Sequence, residues 1–403
     1  MTGAARSADL VVVGAGVIGV WTALRAAEAG RSVIILEALG IGDPRSTSGE
    51  ETRITRASHG SDAFYPVWSR TALERWRELE VWAGEALFVE SGVVWFAQRA
   101  DGFEAASERT LRQLAIPVER LTPAELSRRW PAIAARDLAF GLHEPEAGAL
   151  RARAGIRAAV RHFESLGGAI RIEPARLGRS TGGRLLEVVT SDGERISAGT
   201  FVFAAGPWLP RLFPDLLGDV ISITKQDVVF LGPAPGDRRF EADRFPAWID
   251  YDGAIYGIPS IDGRGAKVPP DAYGRPFDPD ESDRLIDAES IRTVREYLAR
   301  RIPDLAARPI VETRVCQYEA TPDTQFVIDR HPGLANVWLA GGGSGHAFKH
   351  GPEIGRYVAG LLDGGTPPNA PPDDRFSLSR DRRSNAGLRA GSSSPRPLPS
   401  PTR

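Results

Sequence analysis

Four small sets of residues have types and spacings that could do chemistry. Gly14-Ala15-Gly16-Val17-Ile18-Gly19 is a G-x-G-x-x-G run, whose bare backbone can approach a phosphate. Arg53 and Arg56 lie three residues apart, a spacing that can clamp an anion through two planar forks or leave two solvated loop arginines. Cys316 is the only cysteine, so disulfides and cysteine zinc sites within the chain are excluded. It reads either as a small core hydrophobe or, with a lowered pKa, as a nucleophile. Of 50 basic residues only Lys225, Lys267 and Lys349 are lysines. Lysine is a compact ammonium whose pKa moves on burial, whereas arginine is a permanent fork. In so Arg-rich a chain a surviving lysine can mark a place where arginine would not serve; chance retention is the alternative.

The elements that must position these groups are legible around the glycine run. Residues 9–14 are an apolar stretch that predicts a buried strand, residues 18–29 an alanine-rich helix, and residues 31–37 a second buried strand. Together they form a βαβ unit and imply a parallel sheet. Glu37 follows Gly19 by 18 residues, which completes the dinucleotide-binding fingerprint. Gly14 makes the turn, Gly16 admits a pyrophosphate, and Gly19 lets helix and strand pack. Val17 and Ile18 open a helix whose N–H groups face phosphates. Glu37 can accept from ribose hydroxyls and would repel a 2′-phosphate. The fingerprint alone does not separate FAD from NAD. Beyond Glu37, however, the chain enters an Arg-, Ser- and Thr-rich loop over 38–61 instead of a second βαβ half. Two later segments, Thr200 to Trp208 and Asn336 to His346, each run from an apolar strand into a glycine-bearing turn and are predicted to return to the same ligand.

Further helices are predicted over 65–83, 102–116, 122–130, 151–166, 289–301 and 351–362. Strands are predicted within 88–97, 169–172, 185–190, 221–230 and 247–258, and over 337–340. The 403 residues are 42% hydrophobic and 25% charged with a net charge of −2, which predicts a globular chain and argues against a nucleic-acid partner. No apolar run is long enough for a membrane span, and a cytoplasmic protein is expected. The six histidines show no metal-binding spacing, and no metal is expected.

These segments, in this order, resemble the flavin-dependent amine oxidases of the D-amino acid oxidase superfamily, and most closely the monomeric sarcosine oxidase and N-methyltryptophan oxidase group. Glu51-Thr52-Arg53-Ile54-Thr55-Arg56 is similar to the family's acid-Thr-Arg-x-x-Arg element. The resemblance implies that Thr52 and Arg53 lie against the flavin and that Arg56 holds a substrate carboxylate. Arg314-Val315-Cys316-Gln317-Tyr318 resembles the covalent flavin attachment segment, with Cys316 as the attachment residue and Tyr318 as an active-site aromatic. Gly263-Arg264-Gly265-Ala266-Lys267 resembles the strand whose lysine activates dioxygen. Gly342-Gly343-Ser344-Gly345-His346-Ala347-Phe348-Lys349 resembles the loop facing the flavin pyrimidine. Within it Gly342, Gly343, Gly345 and His346 adjoin the cofactor, and Lys349 partners Arg56. Tyr256 and Tyr318 would shape the pocket. Lys225 is read as structural.

Two departures from the family pattern stand out. Asp271 occupies a position where the sarcosine enzymes carry histidine, and Ser48-Gly49-Glu50 replaces a histidine-bearing stretch. Sarcosine itself is therefore doubtful, and an added carboxylate could bind a second cation on a larger substrate. The resemblance implies an α/β fold: a glutathione-reductase-type FAD-binding domain (1–86, 150–215 and 320–380) and an antiparallel-sheet α+β substrate domain (87–149 and 216–319). Residues 381–403 are expected to be a disordered tail. The expected reaction is oxidation of the C–N bond of an N-methyl, secondary or cyclic amino acid, giving imine and H2O2, by a monomer with covalently held FAD. A biosynthetic oxidase of an amino-acid unit in a larger metabolite, an FAD dehydrogenase, and a non-catalytic flavoprotein are the alternatives.

Overall fold

The computed structural model describes residues 6–367 and 369–382. The predicted tail lies, apart from Asp381 and Arg382, outside the described residues.

The predicted βαβ unit is present as strand Ser7–Val13, helix Val17–Glu28 and strand Val33–Glu37. Ser7–Val13 is the hub of an eight-stranded sheet. It pairs in parallel with Val33–Glu37 on one side and Arg195–Phe203 on the other, so Val11 lies between Ile34 and Phe201. Val337–Gly341 continues the parallel set beyond Arg195–Phe203, and Ala169–Ile172 extends it beyond Val33–Glu37. Leu10, Val11, Val12, Ile35, Phe201, Phe203 and Leu339 are all buried. Strands covered on both faces need no polar alternation, which is why these segments read as continuous apolar runs.

Helix Val17–Glu28 packs against helix Gly351–Leu362 with no room between the backbones. A Cβ on Gly355 would stand 2.5 Å from the Trp21 carbonyl, and one on Gly351 would stand 2.4 Å from Val17 Cγ2. Trp21 then meets Trp76 edge to face at 5.0 Å, which ties helix Phe64–Ala83 to the same core.

The second half of the chain builds two further sheets. One is antiparallel, in the order Ala266–Val268, Ser222–Leu231, Ile310–Ala320. The other has five strands centred on Val93–Ala97, with Phe140–Glu144 antiparallel on one side. Its other neighbour, Ala247–Asp250, runs parallel to Val93–Ala97, a departure from the all-antiparallel expectation. The long connection between those two segments removes the geometric constraint that makes hairpin neighbours antiparallel. A small sheet of Thr52–Thr55, Gly148–Arg151 and Phe88–Val89 joins the segment carrying Arg53 to this half.

The close helix contact yields a stability prediction. Gly355→Ala forces its Cβ into the Trp21 backbone and lowers stability to urea unfolding by about 1–3 kcal/mol, the usual cost of overpacking. An unchanged midpoint would contradict the packing described.

Candidate functional site

The described residues enclose a cavity of about 370 Å³. It opens at the carboxyl ends of the parallel strands, where ligands of open α/β sheets bind. Its wall is drawn from both halves: Gly14, Gly16, Val17, Ile18 and Glu37 from the βαβ unit, Gly343 to Lys349 in part from the late loop, and Tyr256, Asp271, Tyr318 and Glu319 from the second half.

The glycine turn is fitted to a ligand backbone-first. Gly14 has φ of +108°, and a Cβ there would stand 2.4 Å from the Ala204 carbonyl oxygen. Only glycine tolerates both conditions. Gly19 lies off the cavity, and its hypothetical Cβ would strike Gly14 O at 1.9 Å, so its smallness sets the turn against the helix. The helix start is not wholly open. Val17 N–H donates to Ser48 Oγ at 3.0 Å, which leaves the neighbouring N–H groups for an anion. Glu37 accepts from the N–H groups of Ala15 (2.7 Å) and Leu39 (2.8 Å). Those bonds fix the carboxylate on the cavity wall, and each oxygen keeps a second lone pair for a hydroxyl.

Arg53, Arg56 and Lys349 bring positive charge to the same cavity. Strand Thr52–Thr55 carries Arg53, which donates to the carbonyls of Thr52 (2.9 Å) and Thr47 (2.8 Å) and to Cys316 Sγ (3.4 Å). Arg56 is held by the Ser58 carbonyl, by His59 Nε2 at 2.8 Å, and over the Trp95 ring at 5.2 Å. His59 Nδ1 lies 2.8 Å from the Ala57 carbonyl. Nδ1 therefore carries the proton, and Nε2 accepts from Arg56. Burial, and then Arg56 and Lys349, push the His59 pKa well below its ordinary value, which agrees with a neutral ring. Lys349 is buried, and its own carbonyl accepts from Trp76 Nε1 at 3.1 Å.

Five expected site residues do not line this cavity: Thr52, Lys267, Cys316, Gly19 and Gly342. Lys267 lies behind the wall, where Nζ donates to the Thr52 carbonyl at 3.0 Å and stands 3.7 Å from Glu50 Oε2. Cys316 packs with Val228 and Phe230 and reaches the wall through its contact with Arg53. Gly342 packs against Thr321 and Val327, where a Cβ would stand 2.9 Å from Thr321 Cγ2 and 3.4 Å from the Val327 nitrogen. The remaining expected residues, namely Gly14, Gly16, Val17, Ile18, Glu37, Arg53, Arg56, Tyr256, Tyr318, Gly343, Gly345, His346 and Lys349, share the cavity.

The electrostatics behind Arg53 centre on Glu50, a carboxylate only 4% exposed. Burial raises its pKa, but Lys267, Arg53 and Arg314 outweigh that and hold it at about 2. Burial pushes Lys267 down to about 8 even though Glu50 pulls it up, because Arg53 and Arg314 add to the repulsion. The Tyr256 hydroxyl is raised by burial foremost and stays neutral. Tyr318 donates its hydroxyl to Asp271 at 3.1 Å.

Three residues escaped the sequence reading. Glu319 lines the cavity, and its only signal is an acid inside a fully buried strand end. His59 and His350 join His346 in a cluster whose ring nitrogens lie within 4.8 Å of one another. Its chemistry does not suit a cation: both His59 nitrogens are engaged, and Arg56 and Lys349 adjoin. His346 and His350 lie four residues apart, but His59 is far from both in sequence and no local pattern announces the three together.

Residues 9–361 match the family described as DAO, FAD dependent oxidoreductase. The chain is 32% identical to the monomeric sarcosine oxidase of Streptomyces avermitilis over 89% of its own length and 94% of that protein's. It is 28% identical to the N-methyl-L-tryptophan oxidase of Yersinia pestis over 93% and 99%. Among solved structures, the L-proline dehydrogenase from P. horikoshii superposes with a TM-score of 0.81 at 22% identity, over 93% of this chain and 97% of that one. NikD, an amino acid oxidase essential for nikkomycin biosynthesis, gives 0.77 at 22% identity, over 92% and 97%. Among the described residues no helix is long and apolar enough to cross a membrane. A glycine turn built for a dinucleotide, an acid at the end of the second strand, and a match running from the first strand to the last helix agree: the chain belongs to the FAD-dependent oxidoreductases of the DAO family, acts on the C–N bonds of amines, and has their α/β FAD-binding fold.

Proposed function

We propose that the protein oxidises the C–N bond of a small carboxylate-bearing amine (an N-methyl, secondary or cyclic amino acid) to an imine, with dioxygen as acceptor and H2O2 as product. In this reading it works as a cytoplasmic monomer, with FAD attached through Cys316. The observation that carries it is the placement of two cations, Arg56 and Lys349, on the wall that also holds the dinucleotide turn. The glycine turn and Glu37 would hold FAD, which would supply a two-electron acceptor for the amine's C–H bond and a donor to the final acceptor.

Arg56 and Lys349 hold the carboxylate. Arg56 is preorganised by Ser58, His59 and Trp95, so little side-chain freedom is lost on binding. Neutral His59 accepts from Arg56 and leaves its charge undiminished for the substrate. Asp271, steadied by the Tyr318 hydroxyl, faces the cavity and suits the amine end or a second cationic group. Tyr256 and Tyr318 shape the apolar wall and exclude water. No protein base is required, because the substrate's own nitrogen supplies the lone pair. Arg53 braces the loop at Thr47 and donates to Cys316 Sγ, the atom through which the cofactor would be attached. Lys267 supplies a buried positive charge one residue behind Arg53, where it favours electron arrival at dioxygen.

A second reading, a dehydrogenase that uses another acceptor, is favoured by one observation: the Lys267 ammonium is already engaged by Glu50 and the Thr52 carbonyl. A peroxide measurement separates the two. Purified protein incubated with N-methyl, cyclic and D-amino acids is expected to release peroxide in step with imine. Turnover only with an added carrier would support the dehydrogenase, and none with any carboxylate-bearing amine would overturn both. On acid precipitation the yellow colour is expected to stay in the wild-type pellet and leave with the supernatant in Cys316→Ala; release from both would exclude the attachment.

Arg56→Met removes a charge-assisted contact and is expected to weaken substrate binding by about 10- to 100-fold, read as KM with kcat less affected. A KM unchanged in this variant would remove Arg56 from the clamp. The oxidative step should fall as pH rises through about 8, where Lys267 loses its proton. Glu50 raises that pKa, so Glu50→Gln is expected to move the alkaline limb to lower pH. A limb that stays in place would contradict the coupling.

A further inference from the structure

Strand Ile310–Ala320 enters the cavity wall at its end, and successive side chains there point to opposite faces. Tyr318 turns toward Asp271. Glu319 turns the other way and lies over Gly206 and Gly343, both of which line the cavity. A Cβ on Gly343 would stand 3.1 Å from Glu319 Oε1, and one on Gly341 3.4 Å from Oε2. Gly206 follows Ala204, whose carbonyl is packed on Gly14. Glu319 therefore sits among the strand ends that frame the dinucleotide turn. It is 6% exposed, and its Oε2 is buried with no hydrogen-bond partner among the described residues. A buried carboxyl oxygen without a partner is costly, so such a group persists where a ligand completes it.

We propose that Glu319 hydrogen-bonds the polar edge of the flavin of bound FAD and tunes its reduction potential. The flavin offers an imide N–H, ring carbonyls and ribityl hydroxyls, all within the chemistry of one carboxyl. This inference rests on the cofactor and not on the identity of the amine. Burial pushes the Glu319 carboxyl up to about 7, against the pull of the Gly342 and Gly343 N–H groups, and among the described residues no charged side chain shifts it. It therefore changes charge near neutrality: the acid favours the electron-rich reduced flavin, and the carboxylate opposes it. Glu319→Gln keeps an acceptor for the two N–H groups and presents an amide that does not titrate. Glu319→Leu removes the polar contact at similar volume.

The test is a pH titration of the flavin absorption spectrum and midpoint potential of the FAD-loaded protein, with no substrate added. Wild type should show one spectral step near pH 7, with a steeper fall of potential across it. Both variants should lose the step, and Glu319→Leu should also shift the absorption bands. If Glu319→Leu fails to fold, Glu319→Gln carries the comparison alone. A Glu319→Gln protein with the wild-type step and potentials would overturn the proposal. A flavin that titrates as proposed while no amine is oxidised would sink the substrate reading and support this one.

Discussion

Glu50 is a carboxylate with almost no contact with water, and the region between the two halves of the molecule is organised by the need to neutralise it. Its oxygens meet Lys267 at 3.7 Å and Arg314 at 3.3 Å. Those partners come from strands Ala266–Val268 and Ile310–Ala320, so one buried acid fixes the loop after the βαβ unit against the second half. The balance is uneven. Glu50 gains more than it loses and is held at about 2, whereas Lys267, which also faces Arg53 and Arg314, is driven down to about 8. Removing one member of such a group leaves an uncompensated buried charge, commonly at a cost of about 3–5 kcal/mol. The charge that the proposed dioxygen chemistry would use is thereby set near pH 8 by its neighbours.

From that anchor the cavity follows. Arg53 ties Thr47, Thr52 and Cys316 together, and Ser48 caps the first helix, so the loop over 38–61 becomes the roof between the dinucleotide turn and the cationic end. On the opposite side, glycines where helices Val17–Glu28 and Gly351–Leu362 touch bring the Gly343–Lys349 loop onto the turn. Ser344 has left-handed backbone (φ 47°), held by hydrogen bonds with the Thr321 N–H and the Gly342 carbonyl. Strain of this kind in a loop that lines a cavity is characteristic of binding elements.

The sequence revealed what local patterns encode. Buried parallel strands announce themselves as apolar runs, and the glycine fingerprint needs only its flanking strands. The longer helices were found to within a few residues because their apolar stripes recur at helical spacing, whereas the one-turn helices Leu209–Leu212, Pro214–Leu217 and Pro303–Ala306 are too short to show one. Lys225 was read as structural, and it is bound to Asp227 and Asp287 at 3.1 and 2.8 Å. The short strands Thr52–Thr55 and Gly148–Arg151 were hidden, because strands this brief owe their existence to partners and not to their own pattern. Glu319 and the histidine cluster were hidden for the same reason: their significance is a meeting in space. The depth of Lys267 and Cys316 behind Arg53 was equally invisible, since strand register decides it.

In the proposed function the cationic wall and the flavin place serve one reaction on a carboxylate-bearing amine. Anaerobic mixing of the FAD-loaded protein with such amines, followed by flavin absorbance, tests it most directly. Saturable bleaching by an N-methyl or cyclic amino acid, absent with the same compound esterified at its carboxylate, is the predicted result. Bleaching that is indifferent to the carboxylate, or none with any amine of this class, would contradict the account.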